Sequence, residues 1–281
     1  MHLDAGASSD VGRAREKNGD SYRLEPSLDL FVLSDGAAAK VSSDAASGLV
    51  VETLIAHCQE AENNRAAPLF GEPRTGLSDR GNRLASGVTL ANRKIFDSAS
   101  ANATRTGSGA TVVAAWIKGQ RLSLVHVGDS RAYLLREGSL SQLTSDHSLA
   151  AEHVRRGLLT PQQADSSDLQ SVLVRSVGAA EEVEIDATEL DLHGGDTLLL
   201  CSDGLSHTVT EPEIASTLMT IEPAQAAADH LIELANDYGG DDNATAIVVR
   251  VVADNDGMLA RLKRWSWRSD GSGGGHSPER S

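Results

Sequence analysis

The chain has 281 residues, 40% of them hydrophobic, and a formal net charge of −15. That is enough apolar side chain for a folded core, so global disorder is excluded. Acids outnumber bases 40 to 25 and only 3% of residues are aromatic. A chain that repels phosphate backbones and has few rings for stacking bases is a poor nucleic-acid binder.

The first ten residues have no basic start and no apolar stretch, so they are not a signal peptide. Residues 28–33 read as a short buried strand. Residues 43–58 place Ala46, Leu49, Val50, Thr53, Leu54 and Cys58 near helical spacing, and 64–76 is a loop rich in Pro and Gly. Residues 78–101 are helical again, with Leu84, Val88, Ala91 and Ile95 on one face and Ser78 able to cap the start. A meander follows: a strand at 111–117, a tight connection at Gly119, and an alternating strand at 121–127 with a wetter face opposite Leu122 and Leu124. Two more strands, 132–135 and 140–143, flank the turn signal Glu137-Gly138. Residues 146–178 are polar and partly helical. Strands return at 184–190 and 196–201, helices at 211–219 and 223–238, and a last strand at 244–252.

Strands in groups with helix pairs between them predict an α+β domain, an antiparallel β-sandwich covered by helices rather than a Rossmann sheet. The expected organisation is one domain over 1–253 and a tail over 254–281, first basic and aromatic (Arg261, Lys263, Arg264, Trp265, Trp267, Arg268), then Gly/Ser-rich. No run reaches the ~18 apolar residues of a membrane span. Cys58 and Cys201 are the two cysteines and neither sits in a CxxC, which argues against a disulfide framework or a zinc site and suits a reducing cytoplasm. Asn102 and Asn243 open glycosylation-like triplets, which without a secretory signal read as chance.

Chemistry enters through a repeated pattern: an apolar strand that runs into an aspartate. Phe31-Val32-Leu33-Ser34 leads to Asp35-Gly36, Leu124-Val125-His126-Val127-Gly128 to Asp129, and Leu198-Leu199-Leu200-Cys201-Ser202 to Asp203-Gly204, while Asp242 opens the final strand. One Asp-Gly is ordinary turn chemistry. Four around one β domain make a cluster of like charges that would repel unless a cation neutralised them. Hard oxygen donors without His or Cys favour Mg²⁺ or Mn²⁺ over Zn²⁺. Arg15 and Arg131 are the basic residues nearest these segments, and an arginine fork matches a phosphate group. A two-metal site with an arginine is equipment for metal-assisted phosphate hydrolysis. Gly128-Asp129-Ser130-Arg131-Ala132 also approaches G-x-S-x-G, but Ala132 replaces the last glycine and a strand follows, so a serine-hydrolase elbow is not met.

The run of motifs resembles the metal-dependent protein phosphatases of type 2C, and the bacterial serine/threonine branch most of all. It comprises the block from Gly12 to Asp20, Ser34-Asp35-Gly36, Gly109-Ala110-Thr111, Val127 to Tyr133, Arg175 to Gly178, Cys201 to Leu205 and Asp242-Asn243-Ala244-Thr245. The resemblance implies a hydrolase that removes phosphate from phosphoserine and phosphothreonine by attack of a water bridging two Mn²⁺ or Mg²⁺ ions. Carried over by position, Asp35 would bridge the metals, and the Gly36 carbonyl, Asp203 and Asp242 would complete their shells. Asp129 with Asp203 would hold a weaker third ion. Arg15 would bind the substrate phosphate, and Asp20 would support the metal-bound waters. The 146–178 stretch would be a flap beside the site. The implied partners are phosphorylated proteins and a cognate serine/threonine kinase, and the implied form is a cytoplasmic monomer. Four positions depart from the pattern: Gly19 stands where a glutamate is usual, Ala38 and Ala39 stand where glycines are usual, and Ala37 takes a place that holds a histidine acid in some members. A weakened enzyme that only binds phosphoproteins is the alternative reading.

Overall fold

The computed structural model describes residues 1–36, 43–100 and 109–253. Its sheets follow from alternation along strands that are buried on both faces. In β3 (Leu30–Ser34), Leu30 and Val32 turn to one side, while Phe31 and Leu33 turn to the other. One five-stranded antiparallel sheet has the order β1 (His2–Asp10), β10 (Ala244–Val252), β9 (Thr197–Cys201), β6 (Arg131–Arg136), β7 (Ser139–Gln142). The second has the order β2 (Ser21–Glu25), β3, β4 (Val112–Lys118), β5 (Arg121–Val127), β8 (Asp186–Asp191). Their facing sides meet through Phe31, Leu33, Ala115 and Leu124 on one sheet and Leu134, Leu198, Leu200, Ile247 and Val249 on the other.

The outer faces are apolar too, so each sheet needs a helical cover. α1 (Ser43–Asn63) and α2 (Asp79–Ser100) pack Val50, Leu54, Leu84 and Val88 onto Val32, Val112, Ala114 and Trp116. Trp116 is fully buried, and its Nε1 donates to the Leu28 carbonyl at 3.0 Å. α6 (Glu211–Thr220) and α7 (Ala224–Asp237) pack Ile214, Leu218, Ala228 and Leu231 onto Tyr133, Leu199, Ala246 and Val248. The result is the expected α+β sandwich in four layers.

Most predicted elements recur with edges shifted by a few residues. Ser78 caps α2 as expected, its Oγ accepting from Gly81 N at 3.1 Å. The wetter face expected of β5 is corrected: Ser123 and Val125 are buried, because α2 covers that side. The 146–178 stretch holds only the short helices α3 (Leu149–Arg155) and α4 (Pro161–Ala164). Strands β1 and β2 are new. β1 pairs along its whole length with β10, His2 opposite Val252 and Asp10 opposite Ala244. Its Gly6 has a packing reason: a Cβ there would lie 2.3 Å from the Gln225 backbone of α7. The tail over 254–281, Ala37 to Ala39 and Asn102 lie outside the described residues. Among the described residues no helix is long and apolar enough to cross a membrane.

Candidate active site

The aspartates that close these strands converge at one end of the sandwich. β3 carries Asp35 and β5 runs through Gly128 to Asp129. β9 ends before the short helix α5 (Asp203–Ser206), and Asp242 lies two residues before the start of β10. Asp20 sits just before β2.

Hydrogen bonds fix the loops that carry them. Thr111 clips Asp35: its N donates to the Asp35 carbonyl at 2.8 Å and its Oγ1 accepts from Asp35 N at 3.0 Å. The same Oγ1 lies 2.6 Å from Ser130 Oγ, tying the Asp129 turn to the Asp35 turn. Gly128 holds a positive φ of 104°, and a Cβ there would lie 2.7 Å from the Thr111 side chain. Both the conformation and the close approach require glycine. Asn243 gathers the N-terminal loop, since its Oδ1 accepts from Gly19 N at 2.7 Å and its Nδ2 donates to the carbonyls of Val11 and Lys17 at 2.8 and 3.0 Å. This buried side chain cannot be a glycosylation acceptor.

Gly19 is built into the site despite its missing carboxylate. Its carbonyl accepts from Ser47 Oγ at 2.6 Å and from Gly36 N at 3.2 Å. The glutamate expected at this position is therefore not what holds the loop. Asp20 Oδ2 accepts from Ser202 Oγ at 2.8 Å and Thr245 Oγ1 at 2.6 Å. Its other oxygen, Oδ1, is buried without a hydrogen-bond partner among the described residues, and so is Asp203 Oδ1.

The electrostatics match that picture. Burial first, and then the charge of Asp203, raises Asp20 to about 7 despite its two hydroxyl donors. Asp35 is pushed well above the carboxylate range by burial and by Asp203, Asp20 and Asp129. Asp129 is raised likewise, by burial and then by Asp203 and Asp146. Arg15 reaches the cluster, its Nη2 2.6 Å from Asp242 Oδ2 and its charge further stabilised by Asp203 and Asp35. An acidic cluster with buried, unpartnered oxygens and only hard donors fits divalent Mg²⁺ or Mn²⁺.

Two residues near the motifs are placed elsewhere. Arg131 does not face the cluster as a free fork. Its Nε and Nη2 hold Asp146 at 2.7–3.1 Å and its Nη1 donates to Tyr133 OH at 3.0 Å. Ser130 is 1% exposed and bonded to Thr111, which removes it as a serine-hydrolase nucleophile. His126 is the buried strand residue expected, with Nε2 3.0 Å from the Ser145 carbonyl. Asn243, Thr111, Ser202 and His147 were not foreseen as site residues. Asn243, Thr111 and Ser202 lie within the motifs of the resemblance, but only long-range contacts show their task.

The protein phosphatase 2C family model matches residues 13–245. The chain is 36% identical over 246 residues to the serine/threonine protein phosphatase PstP of Mycobacterium tuberculosis, covering 88% of this chain and 44% of that one. It thus spans less than half the length of these curated relatives. It is 33% identical over 244 residues to the serine/threonine phosphatase stp of Listeria monocytogenes, covering 86% and 93%. Among solved structures, the crystal structure of PstP superposes with a TM-score of 0.79 at 34% identity, covering 90% of this chain and all of that one. The PstP catalytic domain in complex with two manganese ions gives 0.76 at 34%, covering 89% and 99%. This chain belongs to the protein phosphatase 2C family.

Proposed function

We propose that the chain is a metal-dependent protein phosphatase that hydrolyses phosphoserine and phosphothreonine. The observation that carries this reading is the cluster of raised carboxylates with buried, unpartnered oxygens beside the Arg15 guanidinium. PstP, at 34% identity, has been crystallised with two manganese ions.

In this reading Asp35, the Gly36 carbonyl, Asp203 and Asp242 would hold two cations, and Asp129 with Asp203 would hold a weaker third. Bound divalent ions supply charge neutralisation for the phosphate and a water acidic enough to attack it. Arg15 offers a second partner to that phosphate. Its bond to Asp242 is half-exposed, so an incoming dianion can compete for the guanidinium. Asp20 keeps one oxygen on Ser202 and Thr245, leaving Oδ1 as the acceptor that orients water at the site. Thr111 and Asn243 keep the carboxylates in register.

The catalytic unit spans residues 1–253, with 254–281 as an appended tail. The enzyme works as a monomer in the cytoplasm on targets of a serine/threonine kinase. The free, buried thiols of Cys58 and Cys201 support a reducing compartment. Hydrolysis of p-nitrophenyl phosphate and of a phosphothreonine peptide tests the reading. Activity should require Mn²⁺ and stop with EDTA. Full turnover in EDTA would overturn it.

A further inference from the structure

Next to the aspartates lies a cluster of a different kind: His126, His147 and Asp186, with ligand atoms within 4.8 Å of one another. The two rings stack at 4.6 Å. His147 is 1% exposed and holds Gly128 at both ends: its N donates to the Gly128 carbonyl at 3.0 Å, and its Nδ1 accepts from Gly128 N at 3.0 Å. A neutral imidazole has one bare nitrogen and one N–H. Two donors compete for the bare one, Gly128 N and Arg175 Nη1, the latter 2.9 Å from Nε2. Arg175 has Asp186 at 2.7 Å and Glu184 at 2.9 Å as alternative partners, whereas Gly128 N lies against Nδ1. The network therefore assigns the proton to Nε2, facing Asp186 Oδ2 at 3.4 Å. Burial, His126 and Arg175 push His147 down to about 4, which keeps the ring neutral. The Arg175 guanidinium, 2.9 Å from Nε2 and 2.7 Å from Asp186, takes the place a cation would occupy against this triad.

Its geometry points to another task. Gly128 is clamped between Thr111 on one side and His147 on the other, and Asp129 is the next residue. We propose that His147 is a positioning residue whose Nδ1 fixes the Gly128 turn, so that the Asp129 carboxylate faces the divalent cations. The His147 carbonyl also accepts from Val174 N at 2.8 Å, so the residue joins the 149–175 segment to the same turn. The proposal rests on the metal reading above.

Calorimetric titration of the full chain with Mn²⁺ tests it, beside kcat and KM on p-nitrophenyl phosphate. Asp129→Asn defines the binding event that belongs to this carboxylate. His147→Asn places an amide oxygen where Nδ1 stands and should keep that event close to wild type. His147→Gln carries the same amide one carbon too far. It should weaken the event by about tenfold, as loss of a partner that orients a ligand does, with kcat falling and KM unchanged. Equal Mn²⁺ binding in His147→Gln and wild type, or equal damage in both His147 variants, would overturn the proposal. If His147→Gln does not fold, His147→Asn decides: retention of the event that Asp129→Asn removes supports it, and loss overturns it. Wild type that binds no Mn²⁺ would instead overturn the metal reading, and this proposal with it.

Discussion

Carboxylates at two places in this fold face opposite situations. Asp196, at the turn before β9, is buried, but its oxygens take Arg136 Nε at 2.9 Å, Arg136 Nη2 at 2.6 Å and His193 N at 2.7 Å. Burial would raise it, yet these partners hold it below the ordinary range. Asp20, Asp35 and Asp129 are raised instead, because burial and neighbouring carboxylates outweigh their few donors. The first arrangement is finished, whereas the second is satisfied only when something positive arrives. Buried acids mark a site when their partners are missing, not merely when they are many.

Four measurements press on that contrast. Asp203→Asn should give the largest effect. The charge stabilisation at stake is several kcal/mol, so kcat/KM should fall by roughly three orders of magnitude. Near-wild-type turnover would dissolve the contrast. Asp196→Ala should do the reverse, leaving kcat/KM intact while urea unfolding reports a loss of about 1.5–3 kcal/mol, the range for a hydrogen bond to a charged group, because the Arg136 and His193 N donors lose their acceptor while the part-exposed guanidinium can turn to water. Arg15→Ala should raise KM for p-nitrophenyl phosphate by about 10- to 100-fold, the range for one charged hydrogen bond of ~1.5–3 kcal/mol. Unchanged KM would place the phosphate elsewhere.

The smallest effect concerns pH. Asp20 has a folded value of about 7 against 3.8 for the ordinary side chain, so between these values the folded state binds more protons than the unfolded one. The destabilising contribution is absent below the lower value and complete above the higher. In EDTA, thermal stability should therefore rise as pH falls from 8 towards 5, by about 5 °C, and adding Mn²⁺ at pH 8 should recover it. A flat profile in a differential scanning experiment would remove Asp20 from the unsatisfied set.

What sequence reveals divides along the same line. Strand-end aspartates are legible because a strand fixes direction and Asp-Gly marks where it stops, so Asp35, Asp129 and Asp203 follow from local pattern. β10 is legible as a long run that is apolar except for Thr245 and Arg250. β1 is not: its small and polar residues earn their place from β10 and α7, which lie over two hundred positions away. The pairing of Arg131 with Asp146 and of His147 with Gly128 is equally invisible, since neither spacing is periodic. A basic residue beside an aspartate motif can serve phosphate or serve structure, and only its partner decides.

The pairing of β1 with β10 also has a consequence in time. Arg15 and Asp20 follow the first strand, while Asp242 precedes the last, so the cluster closes only when the two strands meet. At ~5–20 residues per second, roughly ten to fifty seconds of synthesis separate them. A nascent chain that has not yet reached β10 carries Asp20, Asp35 and Asp129 without a counterpart sheet edge, and the acidic cluster is not yet assembled. Under the proposed activity, a chain cut short before β10 would be silent rather than unregulated.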